Sequence, residues 1–232
     1  GTTSSNSDGS ITSTVQANTT AGFSIILYTG GGSAGDTIGH GLNSAPEQVW
    51  FKRRDDSGNW MNYVKAMGNN GYINLDRTNG KDTGGSPVNS TDPSSSVITL
   101  GSFQSLNGST KTYVAYAFHS VDGYSKMGSY TGNGSTDGTF VYTGFRPAWV
   151  LIKRTDTSGH DWMLVDSTRD TINVADNTLF PSDTTQELDG DDKDFLSNGF
   201  KHRSTGASEN ASGGTYIYMA FAEAPFKYAN AR

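Results

Sequence analysis

A chain of 232 residues, 33% hydrophobic and 11% aromatic with 29 glycines, suits an aromatic-rich β protein better than a helical bundle, and holds one large or two small domains. Its net charge of −6, without a Lys/Arg cluster, makes it a poor partner for nucleic acid, where phosphate contacts dominate affinity. The absence of cysteine excludes a disulfide framework and thiolate chemistry, and no apolar run approaches the roughly 20 residues of a membrane span.

Residues 1–21, GTTSSNSDGSITSTVQANTTA, carry only Ile11 and Val15 as aliphatic anchors and read as a linker or a peripheral strand. From Gly22 the pattern changes. FSIILY (Phe23–Tyr28), QVWFKR (Gln48–Arg53), WMNYVKA (Trp60–Ala66), YINL (Tyr72–Leu75), SVITL (Ser96–Leu100) and TYVAYAF (Thr112–Phe118) are short and rich in β-branched and aromatic residues. Gly, Pro, Asn, Asp or Ser bound most of them, which is the signature of strands. Ser57-Gly58-Asn59, Asn69-Asn70-Gly71 and Asn107-Gly108 supply turn chemistry between them. No long window keeps a 3.6-residue apolar period, so almost no helix is expected. TYVAYAF is apolar on both faces, as a central strand between two layers would be.

The second half then repeats the first. YTGGGSAGDTIGHGLNSAPEQVWFKRRDDSGNW, from Tyr28 to Trp60, returns as YTGNGSTDGTFVYTGFRPAWVLIKRTDTSGHDW, from Tyr130 to Trp162. Thr29, Gly30, Gly32 and Ser33 align with Thr131, Gly132, Gly134 and Ser135, Lys52-Arg53 with Lys153-Arg154, and Asp55 with Asp156. TYVAYAF returns as TYIYMAF (Thr215–Phe221), and Asn107 and Ser109 return as Asn210 and Ser212. GYSK (Gly123–Lys126) opens the second copy as GFS (Gly22–Ser24) opens the first, and Phe226–Tyr228 reads as a closing strand. The expectation is an all-β chain of two tandem, internally repeated, jelly-roll-like β-sandwich units, at 22–122 and 123–232.

Chemistry is sparse. His40, His119, His160 and His202 stand at no metal-ligand spacing, and neither a G-x-S-x-G elbow nor a phosphate loop occurs. ELDGDDKDF gathers carboxylates, with Asp189, Asp191 and Asp194 as candidate Ca2+ ligands, but it lacks the EF-hand closing Glu and reads better as a solvated acidic loop. Trp60 and Trp162 are repeat-equivalent and therefore expected in the core, whereas Trp149 aligns with polar Gln48. Positions that differ between copies are the better site candidates. Trp149 with Arg146, and Tyr142 and Phe145 in the loop between them, form an aromatic-polar set suited to a sugar ring with an acidic substituent. Trp50 is a further aromatic candidate. No catalytic residue, metal or cofactor is expected.

AGFSIILYTGGGSAGDTIGHGLNSAPEQVWFKRR, GYSKMGSYTGNGSTDGTFVYTGFRPAWVLIKRTD, DFLSNGFKHRSTG and NASGGTYIYMAFAEAPFKYANAR together resemble a duplicated C-terminal domain of tail-fibre-like, receptor-binding virion proteins of tailed bacteriophages. The resemblance implies a non-enzymatic module on the phage particle surface, assembled in the host cytoplasm. Its implied partners are a host cell-surface polysaccharide or receptor and other virion proteins, with a homotrimer as the usual assembly. It transfers no site residues. A capsid or tail decoration protein is the alternative, and a polysaccharide depolymerase a further one.

Overall fold

The computed structural model describes residues 2–226, the side chain of Asp191 apart. The described residues form two compact units, one of residues 2–75 and 81–119, the other of residues 76–80 and 120–226. Both are all-β and antiparallel in their ladders. Helix among the described residues amounts to α1 (Gln104–Asn107) and a 3-10 turn at Lys65–Met67.

The first unit carries β1 (Ser4–Asn6), β2 (Ser13–Asn18), β3 (Phe23–Thr29), β4 (Thr37–Gly39), β5 (Gln48–Arg53), β6 (Met61–Val64), β7 (Ile73–Asn74), β8 (Val97–Thr99) and β9 (Thr112–Phe118). Seven of these form one sheet in the order β1-β2-β3-β9-β5-β6-β7, while β4 and β8 pair separately. Residues 1–21 thus contribute two strands at one end of the large sheet. β9 lies in its middle, with Tyr113, Ala115 and Ala117 turned into the core, as the two-residue period of a strand dictates.

The second unit carries β10 (Ser125–Thr131), β11 (Phe140–Tyr142), β12 (Pro147–Arg154), β13 (Met163–Asp166), β14 (Ala175–Thr178), β15 (Leu188–Leu196), β16 (Gly199–His202) and β17 (Thr215–Ala222). Its strands make two four-stranded sheets, β10-β17-β12-β13 and β11-β16-β15-β14. Tyr130, Val150, Ile152, Tyr216, Tyr218 and Ala220 from one sheet and Val141, Ala175, Phe195 and Phe200 from the other share one core, which is the packing of a sandwich. The second sheet of the first unit is smaller, because residues 76–96 supply no counterpart of β14 and β15. The closing strand expected at Phe226–Tyr228 runs outside the described residues after Phe226.

At aligned positions the two units make the same contacts. Tyr28 pairs with Tyr113 across β3 and β9, and Tyr130 with Tyr216 across β10 and β17. Their rings stack at 5.3 and 4.9 Å. The Tyr28 hydroxyl donates to the Leu106 carbonyl and the Tyr130 hydroxyl to that of Glu209, at 2.7 Å in each case. Asn107 and Asn210, both fully buried, then hold the two glycine-rich loops: Oδ1 of Asn107 accepts from Gly31 N at 3.0 Å, and Oδ1 of Asn210 from Asn133 N at 3.1 Å. Close approach explains the glycines. A Cβ on Gly30 would stand 2.4 Å from the Gly108 carbonyl oxygen, and one on Gly132 2.3 Å from that of Ala211. Trp162 is buried at 2% exposure, whereas Trp60 is only half-buried and stacks on Tyr116.

The cores differ in one respect. In the first unit Leu100 and Leu106 are fully buried. Leu100 N donates to Asp36 O and Leu100 O accepts from Gly35 N; His202 makes the corresponding bonds with Thr139 and Gly138. His202 and Glu209 therefore occupy the two leucine sites in the second unit. There Glu209 Oε2 accepts from the Lys193 ammonium and stands 3.2 Å from His202 Nδ1, with all three side chains fully buried. Ser204 donates to Oε1. Burial lowers the pKa of His202 and alone would raise that of Glu209, but the Lys193 charge and His202 hold Glu209 down at about 2.

Tyr28→Phe and Tyr130→Phe should each cost about 1–3 kcal/mol in denaturant unfolding, because each leaves a core carbonyl unpaired. Glu209→Leu should cost about 3–5 kcal/mol by stranding the buried Lys193, while the triple change Lys193→Met, His202→Leu, Glu209→Leu should restore or exceed wild-type stability. Below pH 6.5, the ordinary value for His202, the unfolded chain takes up that proton before the folded one, so stability falls. Glu209 adds stability above its ordinary 4.5 that is lost as pH falls toward its folded value of about 2. The melting temperature should thus drop on acidification from pH 7, and the triple variant should show a shallower slope.

Candidate functional site

A cavity of about 470 Å³ opens in the second unit, lined by Asp122, Tyr142, Phe145, Arg146, Glu223 and Phe226 among others. Backbone geometry builds its wall. After β11, Thr143 N and Gly144 N both donate to the Asn198 carbonyl, and Gly144 takes a φ of 87°, which a side chain would strain. The Thr143 hydroxyl donates to Phe145 O at 2.6 Å, turning Phe145 inward. On the other side, Glu223 N donates to Arg146 O, and Phe226 N to Gly123 O. The Phe226 ring stacks on Tyr124 at 5.2 Å.

Three of the five aromatic and basic candidates meet here: Tyr142, Phe145 and Arg146. Tyr142 is 65% exposed and Phe226 44%. Phe145 differs from the expected exposed loop residue: at 7% exposure it belongs to the core cluster and forms the cavity floor, because the turn at Gly144 directs it beneath the sheet edge. Trp149 does not line the cavity. It is half-buried on β12, edge-on to Phe221 at 5.6 Å. Nor does Arg146 flank it as a free guanidinium, since Nε pairs with Glu223 Oε2 at 3.0 Å and a terminal nitrogen donates to the Phe195 carbonyl. Trp50 lies in the first unit, half-buried against Phe118, with its indole N–H buried and without an acceptor.

The acidic stretch is not a loop. It forms β15, whose alternation turns Lys193 and Phe195 into the core and Asp194 away from it. Asp194 is engaged by Arg203, two of whose nitrogens reach Oδ2 at 2.6 and 2.5 Å. Asp189 is exposed, and the side chain of Asp191 lies outside the described residues. Among the described residues no group of three His, Cys, Asp or Glu is placed to hold a metal ion.

The residues that the sequence reading missed are Asp122, Ser197, Glu223 and Phe226. Asp122, Glu223 and Phe226 sit near the segments that open and close the second copy, which had stood out only as strand boundaries, and Ser197 lies at the turn between β15 and β16. One pairing outside the cavity has nucleophilic chemistry: His160 Nδ1 lies 3.1 Å from Ser208 Oγ. Its other ring nitrogen faces the Arg154 guanidinium at 3.4 Å, and a cation there opposes the imidazolium that a serine-activating base must become. Arg53–Asp55 and Arg154–Asp156, the repeated pairs, close at 2.7 and 2.8 Å as strand-end ion pairs.

The chain matches, over residues 1–225, a family described as a domain of unknown function, DUF7483. It belongs to the DUF7483 family. No curated protein and no solved structure matches it. The DUF7483 match takes in the buried ionic cluster and every cavity-lining residue except Phe226, which stands one position past its end. No helix among the described residues is long and apolar enough to cross a membrane.

Two substitutions separate floor from wall. Phe145→Ala should cost about 3–5 kcal/mol in unfolding free energy, as a core truncation does. Tyr142→Ala should stay within about 0.5 kcal/mol of wild type, as exposed positions do.

Proposed function

We propose that this DUF7483 chain is a non-enzymatic surface module of a bacteriophage virion that recognises a host cell-surface glycan through the cavity of its second unit. The observation that carries the reading is the exposed Tyr142 ring on a cavity that sets the polar and charged Asp122, Arg146, Ser197 and Glu223 beside the apolar Phe145 and Phe226. Sugars offer apolar C–H faces to rings and hydroxyls to carboxylates and backbone groups, and such a cavity meets both needs with little rearrangement. The resemblance to tail-fibre-like proteins points the same way, and a cysteine-free chain suits assembly in a reducing cytoplasm. Other virion proteins, and a homotrimeric arrangement, belong to the same reading.

A second reading, a capsid or tail decoration protein, draws on Ile172 and Val174, which stand 78% and 41% exposed in the loop before β14 and suit a protein contact. Depolymerase activity is the weakest of the three: no histidine lines the cavity, and one of its two carboxylates is tied to Arg146.

The test is a glycan array probed with the whole chain, followed by titration of the best ligand. Tyr142→Ala should weaken binding by about ten-fold or more with its melting temperature retained, as expected for loss of one stacked ring. Array signals that Tyr142→Ala leaves unchanged would remove the cavity from the proposal.

A further inference from the structure

β10 ends its sheet with an open edge, and the first unit shows the same edge covered. The order β10-β17-β12-β13 places no strand beyond β10. In the order β1-β2-β3-β9 the aligned strand β3 has β2 on that side, paired from Asn18 opposite Phe23 to Thr14 opposite Leu27. Ser129 stands at the place of Leu27, by the offset that aligns Tyr130 with Tyr28.

Alternation decides which backbone groups of β10 point outward. Ser125 N donates to Val121 O and Ser125 O accepts from Val121 N, so the outward residues are Ser125, Met127, Ser129 and Thr131. Some of their groups are satisfied within the chain. Val121 takes both of those of Ser125. Met127 N donates to Ser120 Oγ at 3.0 Å, and Thr131 O accepts from the Thr139 hydroxyl at 2.8 Å. Met127 O, Ser129 N, Ser129 O and Thr131 N have no partner among the described residues. Ser129 and Thr131 are exposed.

These open groups are self-complementary. Consider β10 of a second copy laid antiparallel along this edge, with Ser129 opposite Ser129. The two serines exchange both backbone bonds, and Thr131 N of each copy donates to Met127 O of the other, so every open group is used. The groups that this register leaves facing each other, Met127 N and Thr131 O, are the two that each chain has already satisfied. The ends of the ladder agree as well. Val121 covers Ser125 at one end, and at the other β10 stops at Thr131, after which Gly132 N donates back to Gly214 O. Lys126 is exposed, and a charge of this kind keeps edge strands from pairing indiscriminately. In this register it falls opposite Gly132, which keeps the two lysines roughly 20 Å apart. An unrelated peptide strand has no reason to match the closed groups together with the open ones.

We propose that the whole chain forms a two-fold dimer through β10, which joins the four-stranded sheets of two copies edge to edge. The contact is independent of what the cavity binds, and it differs from the homotrimer that the phage resemblance implies.

Light scattering and sedimentation of the whole chain at micromolar concentration read the assembly. Because the chain has no cysteine, single-cysteine variants read the register. The wild type should be a dimer. Ser129→Pro removes a donor from the seam at a position where an edge strand tolerates proline, and should weaken dimerisation about ten-fold or more with the melting temperature retained. Opposed residues that exchange both bonds have Cα atoms about 5.5 Å apart, within disulfide range, so Ser129→Cys should cross-link into a covalent dimer on mild oxidation. Lys126→Cys, at roughly 20 Å, should not. Should Ser129→Pro lower the melting temperature, the two cysteine variants decide. A wild type that stays monomeric or trimeric overturns the proposal. So does a dimer that a stably folded Ser129→Pro leaves at full strength, or one in which Ser129→Cys cross-links no faster than Lys126→Cys.

Discussion

A buried asparagine amide holds each unit together at its least regular point. The YTGGGS and YTGNGS segments leave the sheet after Thr29 and Thr131, where β3 and β10 end. Asn107 accepts from Gly31 N and donates through Nδ2 to Ser33 O at 2.9 Å; Asn210 accepts from Asn133 N and donates to Ser135 O at 2.9 Å. An apolar side chain at either site would leave several buried polar groups unpaired, at about 1–3 kcal/mol each. The residue before each asparagine lends its carbonyl to the tyrosine hydroxyl. The glycines follow from this geometry, because the loop backbone runs against the segment that carries the amide, where a Cβ has no room. The twice-written sequence is in this sense one tertiary contact with its steric requirements.

That dependence explains what was legible in the sequence. β5 and β9 fall on the expected segments QVWFKR and TYVAYAF, because alternation and β-branched or aromatic content are local properties. The near absence of helix was legible for the same reason. Sheet membership was not. The first unit spreads seven strands through one sheet and the second divides eight between two, and both outcomes depend on what residues 1–21 and 76–96 supply in three dimensions. The acidic stretch misled because five carboxylates in nine residues read as a solvated loop, whereas Lys193 and Phe195 inside it anchor β15 in the core. Composition averages over a strand's two faces, and there the faces are opposite in character.

The site was half legible. Comparing copies singled out Tyr142, Phe145 and Arg146, and the fold brings these three to one cavity. The same comparison pointed to Trp149, which the fold places elsewhere. Divergence marks positions freed from the shared core, but it does not say which of them share a wall. Asp122, Glu223 and Phe226 were illegible because Asp122 lies some hundred residues before the other two and meets them only where β17 ends beside the start of β10. Arg146 was visible, but its partner was not, so its charge was credited to a ligand rather than to Glu223.

Where the two units differ, they differ in kind. The first buries His40, with its ring nitrogens engaged by Ser94 O and Leu42 N, at the place where the second exposes Tyr142. The first packs Leu100 and Leu106 where the second packs His202 and Glu209 around Lys193. Leucines stabilise a core by area alone and tolerate repacking, whereas a buried ion pair is stabilising only in one geometry and is costly in all others. The ionic cluster is carried by β15, β16 and the segment before β17, and the turn between β15 and β16 supplies Ser197 to the cavity and the Asn198 carbonyl to the turn after β11. An arrangement that fixes those strands in one register also fixes the Asn198 carbonyl on which Thr143 and Gly144 hang, and with it the presentation of Tyr142. The unit with the less forgiving core is the one that holds the exposed ring.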